Sequence, residues 1–328
     1  MTRRGRAVAR FTCITRVARL MLAGLALAAS VVSAQPRAAT NCPPAPSVPS
    51  AAQWQSLQSD ARDVGLLWRI RKDGRDSWLF GTLHVGKPAW SVPGPTLRQA
   101  LAQSDVLALE LDPGDPQLAL RLREATRAAP PPDAALRLRL QAQATAACLP
   151  PDALQDLHPM LQLLTLTLLQ ARRDALDTAF AQELMLAAAA RSAGLRIVAL
   201  ESVEQQISAL LPADAAQQQR LLEQSLEQLE GGRSGALLRR LAEIWAAGDL
   251  DTLEHHAQWC ECADTDAQRA WLRRLNDERN APLADGIDAL HAQGYRVLAA
   301  VGALHMTGAQ ALPKLLAQRG YQVQRMPF

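Results

Sequence analysis

Two apolar segments near opposite ends of the chain end in the same motif, a glycine, two further residues and a histidine. The first reads WLFGTLHVG and holds Gly81 and His84; the second reads AAVGALHMTG and holds Gly302 and His305. An apolar run that ends at glycine predicts a buried strand, and the glycine permits a tight turn at the strand exit. One such histidine is typical of an ordinary turn, so the repetition is the informative feature.

Two further predicted strands end in acidic residues. DVLALELD (105–112) contains Glu110 and LRIVALES (195–202) contains Glu201. If the four strands share one edge of a sheet, two imidazoles and two carboxylates converge there. That set suits Zn, Mn, Co or Fe(II), and a carboxylate that does not bind the ion is a candidate general base. The alternative is that each acid is an ordinary solvated or helix-capping residue.

The remaining pattern predicts a mixed α/β fold. LLWRI and SWLFG are typical of strands in a hairpin that turns at Asp73 and Gly74, and YQVQRM is typical of a closing strand. The order of strands and helices favours a mixed sheet over a doubly wound parallel one. We therefore expect a single domain at 51–328, with a large helical insertion at about 116–192.

The N-terminus predicts export. Residues 1–19 hold six arginines and no acid, and 20–32 form an apolar run too short to span a bilayer comfortably. Small residues follow up to Ala34. This pattern indicates a secretory signal peptide at 1–34, before an extended Pro-rich linker at 35–50. We expect a periplasmic or secreted protein with no membrane span after cleavage; a short N-terminal anchor is the alternative.

The charge of the chain argues against nucleic acid as a partner. The full sequence has a formal net charge of +3, but the leader accounts for six arginines. Without the leader, 29 basic side chains stand against 32 acidic ones, about −3. No overall positive charge remains to attract a polyanion. Nothing in the sequence specifies an oligomeric state.

Four cysteines follow the leader, namely Cys42, Cys148, Cys260 and Cys262. An even number in an exported protein predicts two disulfides. A bond between Cys260 and Cys262 would span a single residue, so we expect each of them to reach a distant partner. A Cys-x-Cys metal site is the alternative, although a second pair at zinc-ribbon spacing is missing.

The motif segments resemble the TraB/PrgY/GumN family, which is related to the Tiki metalloproteases. The resemblance runs from about Leu66 to the C-terminus and includes WLFGTLHVG, DVLALELD, ALDTAFAQELMLAAAARSAGLRIVALESVEQQ and the final segment from RNAPLADG onward. Paired Gly-x-x-His motifs, with a Glu after each interior strand, define that family. The resemblance implies a pseudo-symmetric α/β fold with both histidines in one cleft. It also implies a divalent-metal-dependent hydrolase, above all a peptidase acting on a peptide or protein.

The resemblance also implies roles for individual residues. His84 and His305 match the motif histidines and would be metal ligands, with Mn, Co or Zn as the ion. Glu110 and Glu201 match the family acids and would divide the ligand and general-base roles between them, in an order that the sequence leaves open.

Three further residues lie in family-like stretches. Arg279 would pair with a carboxylate or hold a substrate oxyanion. Asp177 and Asn280 would support the site from behind, Asp177 by orienting a histidine. A purely structural role is the alternative for each. At the level of the whole protein, the alternatives to a hydrolase are a non-catalytic peptide-binding or sequestering protein and a structural periplasmic protein with a satisfied polar cluster.

Overall fold

A computed structural model describes residues 42–127 and 132–327. The predicted signal peptide at 1–34 lies outside the described residues, as do 35–41 of the predicted linker. Residues 42–49 form neither helix nor strand. The strands are β1 (Leu66–Lys72), β2 (Arg75–Thr82), β3 (Val106–Leu109), β4 (Arg196–Ala199), β5 (Val297–Gly302) and β6 (Gln322–Arg325).

Helices occupy the long connections between the strands, and none within the described ranges is long and apolar enough to cross a membrane. The helices are α1 (Ala51–Ser59), α2 (Pro95–Ala102), α3 (Leu118–Thr126), α4 (Ala134–Ala146), α5 (Pro159–Ala171), α6 (Gln182–Ser192), α7 (Val203–Leu210), α8 (Ala215–Glu230), α9 (Arg233–Ala246), α10 (Leu250–Glu254), α11 (Asp266–Leu275), α12 (Asp277–Ala292) and α13 (Leu312–Gln318).

The six strands form one mixed sheet in the order β4-β3-β5-β2-β1-β6. Strands β4, β3, β5 and β2 run parallel, whereas β1 is antiparallel to β2 and β6 is antiparallel to β1. The predicted mixed α/β fold is therefore confirmed. Because parallel strands end at the same edge, both Gly-x-x-His motifs and both strand-end acids leave the sheet on one side.

The predicted hairpin turns where the sequence indicated. Asp73 and Gly74 both have positive φ, 51° and 75°, as a two-residue type I′ turn requires. On the far end of the hairpin, the indole of Trp245 is fully buried and packs edge-on against Phe80. Its Nε1 donates a hydrogen bond to the carbonyl of Gly81 at 2.7 Å. Helix α9 thereby fixes the glycine of the first motif.

Of the three hydrophobic clusters among the described residues, the two largest support the sheet and the helices. The larger core covers the sheet and includes Leu186 of α6. The smaller core lies among helices and includes Leu140 of α4, Leu163 of α5 and Leu226 of α8. The segment predicted as a helical insertion, 116–192, thus contributes to both cores, because α6 packs on the sheet while α4 and α5 pack against α8.

The disulfide expectation is wrong for the Cys-x-Cys pair. Cys42 bonds to Cys148, and Cys260 bonds to Cys262. Glu261, between the latter two, has φ 51°, in the left-handed region, and this turn brings their Cα atoms to 5.0 Å. That separation lies within the usual range for a disulfide. Because the two sulfurs bond to each other, the Cys-x-Cys metal alternative fails as well.

We expect Trp245→Phe to lower the free energy of unfolding by about 1–3 kcal/mol, because the carbonyl of Gly81 loses a buried donor. Chemical denaturation followed by circular dichroism measures the change. Trp54→Phe is the matched control, since α1 buries no residue and the same replacement there is expected to cost less than about 0.5 kcal/mol. Equal costs at the two positions would contradict the role given to the Trp245 hydrogen bond.

Candidate functional site

The polar residues at the carboxyl edge of the sheet form one cluster, whose parts come from neighbouring strands. β5, which precedes His305, lies between β2, which precedes His84, and β3, which precedes Glu110. Beyond β3 and β4 the pairing continues, because the Glu201 N–H donates to the Glu110 carbonyl at 3.0 Å. The two acids are therefore held side by side by the backbone.

Two buried carboxylates share a single guanidinium. The side chains of Glu110 and Glu201 are 11% and 4% exposed, and Arg279 of α12 forms ion pairs with both. The Arg279 Nε donates to Glu201 at 2.8 Å, and Nη1 donates to the Leu275 carbonyl at 2.9 Å. The amide of Gln206 donates to both carboxylates. The predicted pairing of Arg279 with a carboxylate is thus seen twice.

Glu110 faces two ways. Its Oε2 pairs with Arg279, while its Oε1 accepts the Gly302 N–H at 2.7 Å and lies 3.7 Å from Nε2 of His305. Burial raises the pKa of Glu110, but the nearby cationic groups outweigh it and bring that pKa to about 2. Because burial lowers the pKa of His305, Arg279 and the protonated His84 are the cations that act on Glu110 at neutral pH.

His305 is held in one tautomer by Asn280. The ring is 2% exposed, and its Nδ1 lies 2.6 Å from Oδ1 of Asn280. The amide nitrogen of Asn280 donates to the carbonyls of His305 and Gln310, which assigns the amide oxygen to the ring. Since that oxygen only accepts, Nδ1 carries the hydrogen and Nε2 presents its lone pair toward Glu110. Asn280 thus orients a motif histidine.

His84 has a partner that the sequence analysis missed. Its Nδ1 lies 3.1 Å from Oε1 of Glu183, in the first turn of α6, and the Thr82 hydroxyl donates to the same oxygen at 2.6 Å. The charge of Glu183 raises the pKa of His84 to about 9, so the pair is ionic at neutral pH. The ring is 72% exposed, and because water weakens the pair, its contribution to stability is small.

Glu183 also has an unused oxygen. Its Oε2 is buried and has no hydrogen-bond partner among the described residues. A buried carboxylate oxygen without a donor is costly unless something else occupies it. No periodic or compositional signal marks Glu183; only its place inside the quoted family-like segment hinted at it.

The carboxylate of Asp177 binds an arginine and a backbone N–H rather than a histidine. Its carboxylate accepts hydrogen bonds from Arg172 Nε at 2.6 Å and from the Ala179 N–H at 2.8 Å. Its backbone exchanges two hydrogen bonds with Gly86, just after the first motif. A side chain at position 86 would place its Cβ 2.2 Å from the Phe180 carbonyl oxygen, so glycine is needed there. Asp177 therefore fixes the loop that follows His84.

The donor types in the cluster fit a divalent metal ion, although their present arrangement does not form a site. Two imidazoles and several carboxylates are suitable ligands, and Glu183 Oε2 is free to bind. Among the described residues, however, no three or more His, Cys, Asp or Glu side chains are placed together to hold an ion. Arg279 is part of the reason that no metal site is formed, because it already neutralises Glu110 and Glu201.

The fold and the cluster define a class of mixed α/β proteins whose paired histidine motifs leave adjacent parallel strands. The sequence profile of the TraB/PrgY/gumN family matches residues 66–325, and the chain belongs to that family. No curated protein and no solved structure matched the chain.

We expect Arg279→Met to destabilise the protein by about 3–5 kcal/mol at pH 7, because two buried carboxylates lose their shared cation. Arg273→Met, at an exposed position on α11, is the matched control. The double variant Arg279→Met/Glu201→Gln should recover part of the loss. Urea denaturation of each variant measures the change.

The loss of stability caused by Arg279→Met should become smaller at acidic pH. The folded pKa of Glu110, about 2, lies below its ordinary value of 4.5, so its stabilising contribution is present above pH 4.5 and disappears between pH 4.5 and 2. Without Arg279, burial favours the protonated acid instead. A difference between wild type and Arg279→Met that stays constant from pH 7 to pH 3 would rule out this ion cluster as its source.

Proposed function

We propose that the chain is an exported, divalent-metal-dependent hydrolase that cleaves peptide or related acyl bonds. The observation that carries the proposal is the pair of motif histidines at adjacent parallel strand ends, with Nε2 of His305 bare and directed at a carboxylate. Membership of the TraB/PrgY/gumN family and the resemblance to Tiki metalloproteases support the same reaction class. The signal-peptide pattern and the two disulfides support export to the periplasm or the medium.

The ligands in this proposal are His84, His305, Glu110 and Glu183. Glu201 is assigned a supporting role rather than a ligand or base role, because its carboxylate is bonded to Arg279 and Gln206. A divalent ion held in the cluster supplies Lewis acidity toward a carbonyl oxygen and lowers the pKa of water. Mn, Co and Zn all accept this donor set, with hard oxygen donors favouring Mn and imidazoles favouring Zn.

The remaining steps belong to the chain itself. Glu183 and His84 form one carboxylate–imidazole pair at the solvent side of the cluster, and Glu183 supplies the negative charge that fixes His84 there. Asn280 keeps the His305 lone pair directed toward Glu110. Arg279 keeps Glu110 ionised, so that Glu110 can bind a cation at neutral pH.

The second candidate is a non-catalytic protein that binds or sequesters peptides. One observation favours it: Arg279 already satisfies Glu110 and Glu201 without any metal. A cleft with internally neutralised acids needs no ion to stay folded. The first experiment below separates the two functions.

We expect protein purified from the periplasm to carry about one divalent ion per chain, and His84→Ala/His305→Ala to carry none. Elemental analysis measures the content, and reloading with Mn, Co or Zn should raise the melting temperature of the wild type, because a ligand that binds only the folded state stabilises it. His255→Ala is the control, since His255 is exposed and its ring contacts the Asp251 carbonyl. A wild type that takes up no ion on reloading would favour the peptide-binding alternative.

Glu183→Gln is expected to weaken metal binding by about 10- to 100-fold, because the amide can still contact Thr82 but no longer supplies a negative charge beside His84. Isothermal titration with Mn or Zn measures the affinity, and NMR titration should show the pKa of His84 falling from about 9 toward its ordinary value. Glu204→Gln, at an exposed position on α7, is the control. An unchanged affinity would remove Glu183 from the ligand set and leave the other ligands standing.

A further inference from the structure

The Cys260–Cys262 disulfide lies outside the histidine cluster and has no part in the proposed hydrolase. It closes across a single residue, Glu261, in the loop that leads into α11. Glu261 has φ 51°, a backbone conformation that is unfavourable for any residue with a Cβ. Reduction lets Glu261 leave that conformation. The backbone therefore favours the reduced form of this loop.

The other disulfide is different in kind. Cys148 also has a positive φ, 60°, but that conformation closes the end of α4, where the Leu149 N–H donates to the Ala144 carbonyl at 2.9 Å, so it does not depend on the bond. Cys42 and Cys148 are 106 residues apart, so their bond joins the linker to the segment after α4. A crosslink over a long loop strongly restricts the unfolded chain, and by linkage the folded structure makes that bond correspondingly hard to reduce. A crosslink across one residue restricts the unfolded chain very little. Relative to each bond in the unfolded chain, the fold therefore protects Cys42–Cys148 much more than Cys260–Cys262, and opening Cys42–Cys148 costs the protein more stability.

The two sulfurs of the short bridge are not equivalent. Cys260 is 5% exposed, whereas Cys262 is partly exposed. The backbone N–H of Cys262 donates to Sγ of Cys260 at 3.1 Å. A hydrogen bond to sulfur stabilises a thiolate, and the more stable thiolate is the better leaving group. An incoming thiolate should therefore attack Cys262 and displace Cys260.

A concave surface lies beside the bridge. A cavity of about 200 Å³ is lined in part by Glu261 and Asp264, which flank Cys262 in sequence, and by Glu227 and Gln228 of α8. The Gln228 amide donates to the Glu261 carbonyl at 2.7 Å, so α8 holds the loop that contains the bridge. A thiol-bearing segment bound in this cavity lies next to Glu261, the residue between the two cysteines.

We propose that Cys260–Cys262 is a thiol–disulfide exchange site that takes a dithiol as its reductant, separately from the histidine cluster. One thiolate of the dithiol bonds to Sγ of Cys262, the Cys260–Cys262 bond breaks, and its electron pair passes to Sγ of Cys260, which takes up a proton. The second thiolate of the dithiol then attacks the mixed disulfide and releases Cys262 as a thiol. The dithiol is oxidised to a disulfide, and the protein gains two thiols.

The test is an equilibrium redox titration of the folded, full mature chain. The protein is incubated with graded ratios of reduced to oxidised dithiothreitol, its thiols are trapped by alkylation, and each cysteine is quantified by peptide mass spectrometry. We expect Cys260–Cys262 to be half reduced at a ratio at least about tenfold lower than Cys42–Cys148, equivalent to about 30 mV. Circular dichroism should be unchanged when only the short bridge is open.

The two disulfides are each other's matched control, and Cys260→Ser/Cys262→Ser should consume no dithiol at the lower ratios. A monothiol probe, 2-mercaptoethanol, should form its trapped adduct on Cys262. Reduction of both bonds at the same ratio, earlier reduction of Cys42–Cys148, or loss of folded structure along with the short bridge would each overturn the proposal. An adduct on Cys260 instead would overturn the assignment of the attacked sulfur.

Discussion

The guanidinium of Arg279 joins three parts of the fold at the carboxyl edge of the sheet. It binds Glu110 after β3 and Glu201 after β4, and it extends from the first turn of α12. Two ionised carboxylates this deeply buried repel each other and lack water, so neither position is stable without a shared cation. The strand pairing that places these acids side by side therefore depends on α12 being docked where Asn280 also meets His305.

The same interaction decides what the cluster can bind. While Arg279 holds both acids, Oε1 is the part of Glu110 that faces His305, and the Glu201 oxygens are taken. Under the proposed function, a cation arriving from solvent would meet one imidazole lone pair, one face of Glu110 and the His84–Glu183 pair, rather than an open set of four donors.

Much of the cluster at the carboxyl edge of the sheet could be predicted from the sequence. Gly81, His84, Gly302 and His305 mark two strand exits, and Glu110 and Glu201 mark two more. The parallel arrangement of β2, β5, β3 and β4 brings them together as expected. These features are local, because strand runs, glycine turns and strand-end polar residues are each determined by a few neighbouring positions in the sequence.

The features that could not be predicted depend on contacts between distant segments. Glu183 lies in a helix with no distinctive pattern, and only the contact of the first turn of α6 with the end of β2 brings it to His84. The Cys260–Cys262 bond depends on the left-handed backbone of Glu261, which nothing in Trp-Cys-Glu-Cys specifies. The sequence predicted that the carboxylate of Asp177 orients a histidine. Its loop pairs with Gly86 instead, and the carboxylate binds Arg172.

The two Gly-x-x-His motifs are alike in sequence and unlike in environment. Burial lowers the pKa of His305, whereas the charge of Glu183 raises that of the exposed His84. A neutral, fixed imidazole offers a permanent lone pair, while a protonated imidazole in contact with solvent offers a proton. For His84 to bind a cation it must first give up that proton, and Glu183 beside it then carries the charge that compensates the ion. Under the proposed function, the two motifs would thus supply one preformed donor and one that is set by the approaching ligand.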